Sequence, residues 1–283
     1  MRIYYTRPCN FYYGNYARTL IKIKKALPLA GNKNISFDQL EIFERKKKGI
    51  TKSTIYKITE LKSLNKDIKT VINNDLKKIT LKRKNICGIK FNKPHVMGVL
   101  NVTPDSFSDG GLFFHQTKAL NHVNIMIKGG ASIIDIGGES TRPGSKTINN
   151  KDEWDRIEKI IKKIKKKFSK TILSLDTRKS YVMKKGIDLG INIINDVSGL
   201  NYDKKSFNII NKKNTPFVLH HMKDTPYTMQ NNPKYDDVLL DIYDFFEKKI
   251  NFCIKKNFKK EFIILDPGIG FGKNLNHNLR IMS

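Results

Sequence analysis

From His95 onward the chain repeats one pattern: a short apolar run, a polar loop, then a segment of helical period. The apolar runs fall at 96–102, 132–136, 172–176, 191–195, 217–221 and 262–266, and helical periods at 118–128, 155–168, 180–189 and 237–256. In the last of these, Leu239, Ile242, Phe246, Ile250 and Cys253 form one stripe. Strands apolar on both faces, alternating with helices, specify a parallel sheet covered on each side. No glycine fingerprint of a dinucleotide fold follows the first strand, and polar motifs follow nearly every strand. In a (β/α)8 TIM barrel, residues at many strand ends converge on one site, so this distribution favours a barrel over a doubly wound sheet. The expected class is α/β: a TIM barrel of which six βα units are read, over 91–283, with a mixed accessory extension over 1–90.

The extension is rich in lysine and poor in glycine, and alternates weakly around 54–59 and 70–72. Its aromatic cluster, Tyr4, Tyr5, Phe11, Tyr12 and Tyr13, reads as a packing patch rather than a platform for bases. Charge bears on the same choice. Lys and Arg number 54 against 26 Asp and Glu, a net +28, yet only nine are Arg. Readers of nucleic acid lean on arginine for bidentate contacts. Over 155–168 the apolar residues Ile157, Ile160, Ile161, Ile164 and Phe168 hold one helical face and lysines the other, which is a solvated surface. Nucleic acid is therefore the lesser reading. No apolar run approaches the ~20 residues of a membrane span. The start has no signal-peptide character, and three scattered cysteines, Cys9, Cys87 and Cys253, fit a reducing cytoplasm.

The strand ends carry the chemistry. The first ends in Asn101 and a hydroxyl-rich loop running to Gly111, which suits a hard cation such as Mg²⁺ or else an Asx turn. The second ends in Asp135-Ile-Gly-Gly-Glu-Ser-Thr-Arg-Pro-Gly144, whose glycines and donors suit an anion. Asp176, Asn195 and Asp266 end the third, fourth and sixth strands. Such groups are costly to bury unpaired, and together they would floor a flat heterocycle with amino and amide edges. His220 and His221 end the fifth. Neighbouring strand residues point to opposite faces, so the two do not readily chelate one ion, and one is expected to pack or hydrogen-bond in the barrel.

Taken in order, VMGVLNVTPDSFSDGG, ASIIDIGGESTRPGS, LSLDTRK, IINDVSGL, LHHMKDTPYTMQ and ILDPGIGFGK resemble the dihydropteroate synthases of folate biosynthesis, over about 95–273. The leader containing PLAG resembles, more weakly, extensions on some bacterial members. The resemblance implies condensation of 6-hydroxymethyl-7,8-dihydropterin pyrophosphate with 4-aminobenzoate. It implies that Asp176, Asn195 and Asp266 hold the pterin edge, with Val197 and Met222 against its ring. Asp176 would also stabilise charge at the reacting carbon. Asn101 would ligate Mg²⁺, and Thr141 and Arg142 would hold the pyrophosphate. Phe107, Pro143, Gly270 and Phe271 would shape the aminobenzoate pocket, where sulfonamides act. Members are often homodimers.

Departures from the family pattern are also visible. Arg178 follows the Asp-Thr pair, and His220 precedes His221. The lysine expected after a seventh strand and the Arg/His pair after an eighth have no counterpart. The expectation is an incomplete record of a synthase, inactive and poorly folded as it stands. The alternatives are an inactive homologue serving as a partner subunit, and a basic RNA-binding protein.

Overall fold

The computed structural model describes residues 2–46, 51–103, 112–140, 145–223, 225 and 228–283. These form two compact units, Met1–Asn85 with Tyr235–Asp244, and Ile86–Lys234 with Phe245–Ser283.

The first unit is built on β3 (Asn32–Arg45). Along one side of it runs β1 (Tyr4–Tyr13), and along the other lie β2 (Leu27–Leu29) and β4 (Thr51–Lys57), all antiparallel. Helix α1 (Gly14–Lys22) follows β1, and α2 (Lys66–Thr80) follows a 3-10 segment, Ile58–Ser63. Phe37, Leu40, Ile42, Leu61 and Ile72 make its core. Tyr5 and Phe43 pack with Leu240, while Arg45 pairs with Asp241 and Asp244. One expectation is corrected here. The alternation around 70–72 lies inside α2, whose Ile68, Ile72, Leu76 and Ile79 face the core at steps of three and four. Asn65 caps this helix by accepting from the Ile68 amide. The stretch at 54–59 is strand only as far as Lys57.

The second unit holds a six-stranded parallel sheet: β5 (Val96–Asn101), β6 (Ala131–Gly137), β7 (Ile172–Asp176), β8 (Ile193–Asp196), β9 (Phe217–His220) and β10 (Ile263–Asp266). The intervening helices are α3 (Leu112–Lys128), α4 (Asn150–Lys167), α5 (Ser180–Asp188), α6 (Ser206–Lys213) and α7 (Val238–Lys255), and α8 (Leu275–Met282) follows β10. Each strand pairs with the next in sequence. That is barrel winding; a doubly wound sheet would reverse at a switch point. The outer strands β5 and β10 expose Val96, Val99 and Leu265. Helix α4 follows its sequence period. Trp154, Ile157, Ile160, Ile161 and Ile164 are buried, while Lys162, Lys166 and Lys167 face water. Among the described residues, no helix is long and apolar enough to cross a membrane.

Candidate functional site

Parallel pairing puts every strand's C-terminal end on one rim. Register then aligns Asn101, Gly137, Asp176 and Asn195 in a single row across β5 to β8. Gly137 matters for the space it leaves. A Cβ there would lie 3.3 Å from Asp176 Oδ2 and 3.4 Å from Asn101 Oδ1, so these two oxygens close over the glycine.

Two residues before Gly137, on the same face of β6, stands Asp135. Asn195 Nδ2 donates to its Oδ2 at 2.8 Å. Asp135 Oδ1 and Asn195 Oδ1 are buried with no hydrogen-bond partner among the described residues. The Ser174 hydroxyl lies beside Asp135, but Asn195 Oδ1 stays open, and a buried acceptor left open is costly, so this corner is shaped for an incoming N–H donor. Burial raises the Asp135 carboxyl above the usual range, against the hydroxyl of its register partner Ser174 and the amide of Asn195. Burial, and then the negative charge of Asp135, raise Asp176 well above it.

A buried ion cluster stands behind this row. Glu139 accepts from Arg178 at 3.0 Å and from Lys179 at 2.9 Å, and Lys179 also donates to Glu153 of α4 at 2.6 Å. Burial pushes Glu139 up, but its two cations outweigh that and hold it low. For Glu153 burial wins over Lys179 and the carboxyl is raised. The cluster fixes the ends of the β6–α4 loop. The Ile148 amide donates to Glu139, Thr147 accepts from Arg178, and the Ser145 hydroxyl donates to the Ser140 carbonyl at 2.6 Å.

The far side of the rim is formed by the loops after β8, β9 and β10. Asp266 Oδ1 accepts from the Gly268 amide at 2.7 Å. Gly268 needs φ +67°, and a Cβ there would fall 2.1 Å from the His221 carbonyl oxygen. Lys273, 3% exposed, donates to the Gly268 and Phe271 carbonyls at 2.9 Å and reaches His221 Nδ1 at 3.1 Å. Burial lowers Lys273 to about 8, and burial with the lysine's charge lowers His221 to about 3. Both histidines are thus buried and hydrogen-bonded, His220 through Val197.

The family profile described as pterin binding enzyme matches residues 97–283. The dihydropteroate synthase of Escherichia coli (strain K12) is 42% identical over 195 residues, 69% of this chain and 68% of that protein. The Yersinia pestis dihydropteroate synthase in a sulfonamide drug complex superposes with a TM-score of 0.64 at 41% identity, over 69% of this chain and 70% of that one. The Xanthomonas albilineans dihydropteroate synthase with 4-aminobenzoic acid gives 0.62 at 34% identity, over 69% and 68%.

The chain belongs to the dihydropteroate synthase family. Against the synthase resemblance, Asn101, Asp176 and Asn195 fall in one row, and Asp266 stands two strands beyond Asn195, on β10. Val197 is buried after β8, Met222 is half-buried after β9, and Phe271 is half-buried after β10. Gly270 is exposed at φ +82°, a Cβ at that position would meet nothing within 4 Å, and its amide donates to Asn278. Phe107, Thr141, Arg142 and Pro143 lie outside the described residues. Sequence reasoning names Asp135 only as the head of the second strand-end motif, with no part in the pterin floor, although a carboxylate inside the apolar run Ile-Ile-Asp-Ile was its signal. It passed over Glu153, which sits four residues before Ile157 on the buried stripe of α4.

The acidic pair gives a pH prediction for this synthase-family chain. Native carboxyls with raised affinity for protons lend stability that is present at low pH and lost as pH rises through their folded values. Asn stands for the protonated form. Asp135→Asn should therefore gain stability relative to the parent as pH is raised from about 4 to about 8. Paired thermal melts across that range check it, and a constant difference would mean that burial does not raise the Asp135 carboxyl.

Proposed function

We propose that the chain is a dihydropteroate synthase, joining 6-hydroxymethyl-7,8-dihydropterin pyrophosphate to 4-aminobenzoate to form 7,8-dihydropteroate and pyrophosphate in folate biosynthesis. The observation that carries this reading beyond the family is the open acceptor Asn195 Oδ1, buried between the carboxyls of Asp135 and Asp176. A pterin's amino and ring N–H groups are donors of the matching kind. Asp176, Asn195 and Asp266 hold that edge, with Val197 and Met222 against the ring. Donors from the pterin favour the ionised form of Asp176, which then faces the positive charge that grows on the methylene as pyrophosphate departs. The arylamine is already nucleophilic at neutral pH, so positioning does most of the work. Gly270 and Phe271, with Phe107 and Pro143, shape its pocket, and Thr141 and Arg142 hold the pyrophosphate.

The oxygens of Asn101 and Asp176 around Gly137 suit a hard cation. Among the described residues no cluster of three His, Cys, Asp or Glu side chains forms a metal cage. Mg²⁺, which keeps most of its waters, would be held by Asn101 and the substrate, and it would neutralise the leaving pyrophosphate. Asn101→Ala should then raise the Mg²⁺ concentration needed for half-maximal rate while leaving aminobenzoate affinity near that of the parent. An unshifted Mg²⁺ dependence would exclude the role.

The decisive experiment is a coupled assay for dihydropteroate with the purified chain. Turnover establishes the reading; pterin binding without turnover supports an inactive homologue instead. The same preparation, sized by light scattering, tests for the homodimer common in the family. The three free cysteines fit a reducing, cytoplasmic location, to be checked by fractionation.

A further inference from the structure

His220, the last residue of β9, is 3% exposed. It touches the loops on both sides of its strand. Its Nδ1 lies 3.0 Å from the Val197 carbonyl oxygen, after β8. A carbonyl only accepts, so Nδ1 carries the proton, and the neutral ring keeps its lone pair on Nε2. Burial favours this neutral form, against the pull of Asp266. Towards β10, the ring meets Phe271 edge-on, with centroids 4.7 Å apart and planes at 83°. Gly268 rests against it too, since a Cβ there would sit 2.8 Å from Cε1 and 3.0 Å from Nε2 of the imidazole. The Gly268 amide is in turn the donor to Asp266, and Asp266 is the register partner of His220.

We propose that His220 is a positioning residue that sets the spacing between the pterin wall at Val197 and the aminobenzoate wall at Phe271, so that the two reacting atoms meet. The inference rests on the synthase reading. The walls stand on β8 and β10, which do not pair with each other, and β9 lies between them. The imidazole meets one wall through a hydrogen bond and the other through a ring edge. Rates of bimolecular joining are acutely sensitive to such spacing, where a misplacement of about 1 Å costs on the order of a hundredfold.

Two variants separate the contacts. His220→Phe keeps a ring against Phe271 but leaves the Val197 carbonyl without its donor. His220→Asn keeps a donor near the position of Nδ1 but removes the ring. Calorimetry with 6-hydroxymethylpterin, then with 4-aminobenzoate added to the pterin-saturated protein, reads both walls. The phenylalanine variant should weaken pterin binding roughly tenfold, with aminobenzoate affinity within about twofold of the parent. The asparagine variant should show the reverse. A buried histidine with only a packing role would lower the melting temperature and shift both affinities in parallel. That outcome, or no change in either, overturns the proposal. A parent chain that binds neither ligand overturns the synthase reading and this inference with it. If neither variant folds, the imidazole ¹⁵N resonances of His220 in the parent decide. They should move on addition of pterin and again on addition of aminobenzoate; no movement with either counts against the proposal.

Discussion

Asp266→Ala is expected to weaken pterin binding by on the order of 2–4 kcal/mol, which amounts to near loss at ordinary concentrations. Two effects combine. The carboxylate that would meet the pterin's amino edge disappears, leaving ligand donors buried and unpaired. The acceptor that holds the Gly268 amide at 2.7 Å goes as well, so the loop leading to Phe271 loosens. Asp266→Asn separates them, because its amide oxygen still accepts from Gly268 while the charge is gone. The asparagine variant should therefore fall between parent and alanine in calorimetric titration with the pterin pyrophosphate. If alanine binds as the parent does, Asp266 is a turn residue and nothing more.

Lys179→Met should produce the largest loss of stability. Its ammonium is 2% exposed and lies between Glu139, 6% exposed, and Glu153, fully buried, so methionine leaves two carboxylates facing each other without their shared cation. Breaking a buried pair in this way costs about 3–5 kcal/mol, a fall in melting temperature on the order of 10 °C. Adding Glu153→Gln to Lys179→Met removes one uncompensated charge and should restore part of the loss. A melt unchanged by Lys179→Met would mean that Arg178 alone neutralises the cluster.

The barrel strands were legible because each is short, apolar on both faces and followed by a polar loop. Strand β7 appears at 172–176 as expected. Strand β8 starts two residues later than the apolar run at 191–195, because the Ile191 amide closes the end of α5 by donating to Gly186. The extension was hard to read for the opposite reason. Three residues, 70–72, are too few to separate a period of two from one of 3.6, and only the longer stripe through Ile68 and Ile79 reveals the helix. In the site, strand-end polar residues could be read directly. The residues supporting them could not, because Glu139, Glu153, Arg178 and Lys179 lie up to 40 residues apart and are brought together only by folding, and one lysine among so many gives no sign that it is buried.

The winding of the sheet has a consequence for how the molecule opens. Asn101 and Asp266 end β5 and β10, the two outermost strands, each with one hydrogen-bonded neighbour among the described residues. Such strands are where amides exchange first, by local opening that leaves the centre of a sheet intact. A pterin pyrophosphate held near both would tie these two weak margins to one event, since neither could open without releasing it. Binding would then slow hydrogen exchange in β5 and β10 together, by the same free energy, and turn two separate fraying motions into a single cooperative one.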